Sequence, residues 1–154
     1  MNIEYINPFI EASQLVLKKA TGMTVRLGKV FVRSQPFLDG TLLVEVGLTG
    51  KIRGKAILDI PTAVARQIIS RMMTDIEVEN IDEIGVSALS ELANMIMGNT
   101  ATILYNKGVG IDITTPKLFF GDGEIMPPTN MKTISIPLIV EDFGVIELNI
   151  SVLG

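Results

Sequence analysis

The sequence of 154 residues contains no cysteine and no histidine. Without cysteine, disulfide bonds and thiol catalysis are excluded. Without histidine, the chain also lacks the commonest zinc ligand, an imidazole base and the Ser-His-Asp arrangement. Any catalysis must therefore use carboxylates, amides, hydroxyls, amines or groups that a partner supplies.

Tryptophan is also absent, aromatic residues make up only 5%, and 13 Lys and Arg face 17 Asp and Glu, for a net charge of −4. Nucleic-acid binding usually relies on a basic surface and on aromatic side chains that stack on bases. The sequence has neither, so it argues against a nucleic-acid ligand.

Long hydrophobic runs are missing as well. No apolar run approaches the roughly 18 residues that a membrane span needs, and the first residues include Glu4 and Glu11 rather than a basic segment leading into an apolar one. We therefore expect a cytoplasmic protein with no membrane partner.

The composition that remains is typical of a folded domain, with 47% hydrophobic and 19% charged residues. A chain of this length fits a single domain over residues 1–154. The apolar surplus favours a protein partner or a homodimer, although a generous core gives the same composition.

Periodicity predicts a helix followed by three strands in the first part of the chain. The helix covers residues 3–20 and ends at Gly22, and the predicted strands are 24–33, 41–48 and 52–60. The last two strands are expected to pair as a hairpin.

The same order returns in the second part. A short helix begins at Pro61, and the long central helix spans residues 82–106 and ends at Gly108. The predicted elements that follow are strands 111–120, 133–141 and 143–152, with a loop at 121–130. Pro116 and Pro137 predict edge positions or bulges. The expected fold is α/β of the α+β type, with two αβββ halves whose helices pack on one face of a largely antiparallel sheet.

The central helix contains the stretch SALSELANMIMGN, residues 87–99. A helix turns about 100° per residue, so Ser87, Glu91 and Asn94, at positions i, i+4 and i+7, share one face. Gly98 continues this stripe and leaves room for an approaching surface, and Met95 flanks it. The opposite, apolar side is formed by Val86, Leu89, Ala93, Ile96, Met97, Thr100 and Leu104. Pattern alone favours ordinary solvation of the polar trio.

This stretch resembles the signature of the CheC/CheX family of response-regulator phosphatases. In that signature an acidic residue or Ser, three residues, Glu, two residues and Asn lie on one helix. Ser87, Glu91 and Asn94 match each position, and the following MIMG resembles the family's Met-x-x-Gly continuation. The doubled αβββ order and the length are similar to the single-motif CheX type over essentially the whole chain.

The resemblance implies a hydrolase that removes the phosphoryl group from the phospho-aspartate of a CheY-like receiver in chemotaxis. Asn94 would orient the attacking water, Glu91 would pair with the receiver's lysine, and Ser87, Met95 and Gly98 would contact the receiver. Ser87 is expected to be a contact rather than a nucleophile, because no base is available to activate it. The receiver would supply Mg²⁺, so no cofactor or metal of the chain's own is expected.

The resemblance also implies a homodimer joined through sheet edges, and strands 133–141 and 143–152, which are rich in Ile and Val, could supply such an edge. Two other functions stay open. Related folds in flagellar switch proteins bind receivers and serve assembly without hydrolysis, and a CheX-like dimer could have a partner outside chemotaxis.

The first helix repeats the spacing of the polar trio with Asn7, Glu11 and Gln14. These residues would form a second site, a relic of one, or a solvated face. The extra methylene of Gln14 would misplace its amide by roughly 1 Å or more, which favours solvation.

Overall fold

The structure is a computed structural model that describes residues 3–37, 40–121 and 125–153. The described helices are α1 (Ile3–Thr21), α2 (Thr62–Met72) and α3 (Glu83–Asn106). The described strands are β1 (Val25–Leu27), β2 (Phe31–Val32), β3 (Thr41–Gly50), β4 (Gly54–Pro61), β5 (Ile111–Ile113), β6 (Lys117–Phe120), β7 (Lys132–Val140) and β8 (Gly144–Val152). The centre of the predicted loop at 121–130, residues 122–124, lies outside the described residues.

One antiparallel sheet contains all the described strands. Its order is β1-β7-β8-β4-β3-β5, with β2 continuing β1 along β7 and β6 continuing β5 along β3. The predicted hairpin is confirmed, since β3 pairs with β4 from Thr41↔Pro61 to Leu48↔Gly54. The predicted fold class, with its two helix-and-strand halves, is also confirmed.

Each half of the chain completes the sheet of the other half. The short strands β1 and β2 of the first half pair with β7 of the second, and β5 and β6 of the second half pair with β3 of the first. The strands β4 and β8 meet in the middle. This reciprocal arrangement supports the predicted internal repeat.

The topology corrects the prediction about sheet edges. Neither β7 nor β8 is an edge strand, because β7 lies between β8 and the strands β1 and β2, and β8 lies between β7 and β4. The prediction was wrong because it took the Ile and Val content of these two strands as the sign of an edge. The first strand of each half crosses to the opposite hairpin and leaves β7 and β8 inside the sheet. Among the described strands, the edges are the pair β1 and β2 and the pair β5 and β6.

The first predicted strand of each half is also broken in two, for a local reason. Gly28 lies between β1 and β2, where its N–H donates to the Pro137 carbonyl at 2.9 Å and leaves no space for a side chain. Pro137 has no N–H and is therefore tolerated at this break in the ladder. Pro116 lies in the corresponding break between β5 and β6, which is one of the predicted alternatives, an edge position of the sheet.

The core lies between the helices and one face of the sheet. Alternate residues of β3, β4, β7 and β8 point to this side and pack with the apolar faces of all three helices in a continuous buried cluster. Representative members are Phe9, Leu42, Ile96 and Leu148, each completely buried. Within the described chain, no helix has the length and apolar character needed to span a lipid bilayer.

The opposite face of the sheet carries a polar cluster around Arg33. Its Nε donates to Asn149 Oδ1 at 3.1 Å and to Ser135 Oγ at 3.3 Å, and its guanidinium pairs with Glu147. The guanidinium also lies 5.1 Å from the centroid of the Phe37 ring. Arg33 thereby fastens the segment that follows β2 onto this face.

Candidate functional site

Helix α3 has well-defined ends, which fix the position of every residue on it. Asp82 is the N-cap, and its side chain accepts a hydrogen bond from the Gly85 N–H at 2.9 Å. At the other end Gly108 has a φ of 82° and donates to the Tyr105 carbonyl at 3.0 Å. Gly108 therefore stops the helix as its left-handed conformation predicts.

The burial of α3 follows its apolar pattern. Leu89, Ala93, Ile96, Met97 and Leu104 are all 1% exposed or less. Val86 departs from the prediction, since it is only half-buried at the border between the core and the surface. Because its other side is locked into the core, α3 presents its remaining residues on a rigid support.

Ser87, Glu91 and Asn94 are all exposed, as predicted, on one face of α3. In the part of the chain that the structure describes, neither the Glu91 carboxylate nor the Asn94 carboxamide has a hydrogen-bond or ion-pair partner. A carboxylate and an amide that are rigidly held and unpaired are available to an external molecule.

A cleft of roughly 600 Å³ runs along this face. One side of the cleft belongs to α3, which contributes Val86, Ser87, Ser90, Glu91 and Asn94. The other side is formed by residues 113–116, the break between β5 and β6, which we call the far wall. The polar trio therefore lies in a two-sided cleft rather than on an open helix face.

The far wall is tied to strand β3. The Thr114 N–H donates to the Gly47 carbonyl at 3.0 Å, and Thr114 Oγ1 accepts from the Gly47 N–H at 2.7 Å. A Cβ on Gly47 would lie 2.9 Å from Thr114 Cγ2, so the approach requires glycine at that position. Pro116 restricts the backbone at the end of the wall.

The other predicted contact residues lie beside the cleft. Gly98 follows Asn94 along the stripe, and no atom of the described residues would lie within 4 Å of a Cβ at this position. Met95 is half-buried and packs against the core, so only part of it is accessible. Ile84, which also flanks the stripe, is 60% exposed.

The similar trio on α1 has a different environment. Asn7 and Glu11 are exposed, but Gln14 is half-buried and its Nε2 donates to the Val25 carbonyl at 3.3 Å. The Gln14 amide thus ties α1 to β1, which gives it a structural partner that Asn94 lacks among the described residues.

The described carboxylates are spread over the protein. Among residues 3–37, 40–121 and 125–153, no three carboxylates come together in a group that could hold a metal ion. In the cleft, Glu91 is the one ionisable residue among the described lining residues.

Comparison with known proteins extends these observations. Residues 42–138, which include α3 and the far wall, match the family model for the chemotaxis phosphatase CheX. The CheY-P phosphatase CheX of Thermotoga maritima is 30% identical over 121 residues, covering 79% of this chain and 78% of that protein.

Solved structures share the fold over its whole length. A CheC-like superfamily protein from Shewanella sp. PV-4 has a TM-score of 0.89 and 25% identity, with both chains fully covered. A chain of the CheX-CheY-BeF3-Mg²⁺ complex from Borrelia burgdorferi has a TM-score of 0.85 and 28% identity, covering 99% of this chain and 100% of that one. The architecture is therefore that of the CheC-like and CheX proteins. By its sequence match, the chain belongs to the CheX family.

Sequence reasoning found the α3 side of the cleft and missed the far wall. Ser90 was overlooked because it lies at the margin of the stripe, and Thr114 and Thr115 because a continuous strand was predicted there. Pro116 was the available signal, since it marked the break that forms the wall.

Proposed function

We propose that this protein hydrolyses the phospho-aspartate of a CheY-like response regulator. The observation that carries the proposal is the pair of exposed side chains of Glu91 and Asn94, which have no partner among the described residues and lie on a rigid helix beside a cleft. Membership of the CheX family supports it, and so do a relative named CheY-P phosphatase and a relative solved in complex with CheY.

Asn94 positions the attacking water. Its carboxamide has both a donor and an acceptor, so it can hold a water molecule in line with the phosphorus atom without carrying charge. A carboxylate at this position would repel the anionic phosphoryl group. The water oxygen forms the new bond to phosphorus, and the bond to the aspartate oxygen breaks. Phosphate and the free aspartate carboxylate leave, and the proton of the water passes to phosphate or solvent.

Glu91 pairs with the lysine of the receiver's active site. It lies about one helical turn from Asn94 on the same face, so this contact sets the register of the amide over the phosphoryl group. The Mg²⁺ ion belongs to the receiver, and the protein brings no cofactor of its own. Ser87, Gly98 and the accessible part of Met95 complete the contact along α3.

The protein acts in the cytoplasm, where response regulators are phosphorylated, as a homodimer joined through one sheet edge. The β1/β2 edge is the better candidate, because Leu27, Val30, Phe31 and Val32 are all at least 38% exposed there. The other edge contains the far wall, and a dimer at that edge would crowd the cleft.

The direct test is phosphoryl loss from a panel of phosphorylated receivers, followed with and without the protein. Acceleration for at least one receiver is expected. Binding of receivers without acceleration would instead favour the alternative, a receiver-binding or flagellar-switch-like assembly module.

The same assay tests the role of Glu91 with a matched pair of variants. Glu91→Ala should weaken complex formation and slow hydrolysis, because it leaves the receiver's lysine without its partner. Glu11→Ala, at the corresponding exposed position of α1, should change neither. Equal effects of the two substitutions would refute the assignment of Glu91.

A further inference from the structure

The cleft has a second side that the signature on α3 does not include. Residues 113–116 line it opposite Glu91 and Asn94. They come from the break between β5 and β6, which lies about 20 residues along the chain from the trio. This far wall either only borders the site or also contacts the receiver.

The far wall is held against strand β3 at three successive points. Thr114 makes two hydrogen bonds to Gly47, at 2.7 Å and 3.0 Å. Ile113 pairs with Leu48 on one side of the break, and Lys117 pairs with Glu45 on the other. A segment fixed in this way can orient a partner, because little conformational freedom is lost when the partner binds.

Thr115 is the residue of the far wall with a side chain free to make contacts. It is exposed, and within the described chain its hydroxyl has no hydrogen-bond partner. The hydroxyl can both donate and accept a hydrogen bond, so it suits the backbone of a loop inserted into the cleft.

The lack of charged side chains on the far wall also fits such a contact. All four of its residues are uncharged, so Glu91 faces no cation among the described residues that line the cleft. A basic residue here would compete with the receiver's lysine for Glu91, and an acidic one would repel a phosphoryl group.

We propose that the far wall is the second half of the receiver-docking surface, with Thr115 as a specificity-determining contact to the receiver loop beside the phospho-aspartate. This inference rests on the proposed function. It assigns Thr115 to binding, whereas Asn94 acts in the chemical step.

The test compares Thr115→Trp, which adds a bulky side chain to the far wall, with Thr49→Trp as the matched control. Thr49 is an exposed threonine on the adjoining part of β3 that pairs with β5, on the face away from the helices. The measurements are affinity for a receiver activated with beryllofluoride, KM and kcat for dephosphorylation, and thermal unfolding. Thr115→Trp should weaken binding and raise KM by at least about tenfold. Its kcat should change less than about threefold, and Thr49→Trp should match the wild type.

A third variant separates steric from electrostatic effects. Thr115→Lys places an ammonium group across the cleft from Glu91, and its loss of affinity should diminish as salt screens the new pair.

Failure of the far-wall inference can be distinguished from failure of the proposed function. If Asn94→Ala is inactive while Thr115→Trp has wild-type affinity and KM, the far-wall inference is overturned and the proposed function stands. If the wild type binds receivers without hydrolysis, the affinity measurement still decides the role of Thr115. A wild-type protein that binds no receiver overturns both.

Discussion

At the residue scale, Asp59 has the most unusual environment of the described carboxylates. It is 6% exposed on the face of the sheet away from the helices, and its Oδ1 atom has no hydrogen-bond partner within the described residues. Burial and the nearby Glu147 carboxylate raise the pKa of Asp59 to about 6, against the opposing effects of a hydrogen bond from Thr41 and the charge of Arg33. Folding therefore disfavours the ionised form of Asp59.

The sign of the resulting pH dependence follows from linkage. Between about pH 4 and pH 6 the folded protein binds more protons at Asp59 than the unfolded chain does. The contribution of Asp59 to the free energy of unfolding is thus fully present below about pH 4 and lost as the pH rises through 6. By the conversion of about 1.4 kcal/mol per pKa unit, the loss is on the order of 1 to 3 kcal/mol.

Asp59→Asn should remove this loss, because the amide does not ionise. Urea denaturation at about pH 4 and about pH 8 measures the effect. From about pH 4 to about pH 8, the free energy of unfolding of the variant should rise by on the order of 1 kcal/mol or more relative to that of the wild type. If the free energies of unfolding of the two proteins differ by the same amount at both pH values, the proposed role of Asp59 is contradicted.

Single residues also show what sequence can and cannot reveal. The exposure of Ser87, Glu91 and Asn94 was predictable, because helical periodicity fixes the face of each residue once the helix is recognised. The environment of Asp59 was not predictable, since it depends on Glu147 and Arg33, which come from distant parts of the chain. Gln14 likewise matches a motif in sequence but is occupied by a contact with β1.

At the scale of single elements, α3 combines a buried face with a stripe that stays open. Gly98 lies on that stripe with a helical backbone and free space where a side chain would be. Glycine inside a helix costs about 0.5–1 kcal/mol relative to alanine. We infer that glycine is present here despite this cost because it lets the partner approach α3 closely.

Substitutions at Gly98 should therefore change stability and binding in opposite directions. Gly98→Ala should raise the free energy of unfolding by about 0.5–1 kcal/mol. Gly98→Leu should keep the fold and weaken receiver binding by about tenfold or more. Denaturation and a binding titration measure the two effects. Wild-type affinity in the leucine variant would show that the partner does not approach α3 at this point.

The strands show where element prediction fails. The long strands β3, β4, β7 and β8 were found because their apolar alternation continues over 8–10 residues. The breaks after Leu27 and Ile113 were missed, since they depend on close contacts and hydrogen bonds with Pro137 and Gly47 on other strands. The missed break at residues 113–116 is the segment that completes the cleft.

At the scale of the whole molecule, the exchange of strands between the two halves decides which edges are free. The hydrophobic pattern predicted both halves and the helices on one face, but it contained no information on which strands are neighbours. The Ile and Val residues of β7 and β8 were therefore read as the sign of an edge. Their Ile and Val content reflects a central position in the sheet.

The exposed β1/β2 edge leads to a test of the proposed dimer. Val32 is 57% exposed on this edge, and Val32→Lys should yield monomers, because a charge would be buried against the second copy. Val145→Lys, at an exposed valine of the central strand β8, should leave the dimer intact. Light scattering at high micromolar concentration measures the mass of each. A monomeric wild type, or a dimeric Val32→Lys variant, would contradict the proposed interface.

The central claim is that Asn94 holds the attacking water, and one comparison of variants tests it most directly. Asn99→Ala is the matched control, because Asn99 is an exposed asparagine on the same helix, about 140° around the axis from Asn94, and its amide bonds to the Met95 carbonyl. The measurement is the rate of phosphoryl loss from the receiver that the wild type dephosphorylates, together with affinity for its beryllofluoride-activated form. Asn94→Ala should lower the accelerated rate by on the order of 10²-fold or more with nearly unchanged affinity, whereas Asn99→Ala should retain both. Wild-type phosphatase activity in a folded Asn94→Ala variant would show that Ser87, Glu91 and Asn94 are only a solvated face of α3.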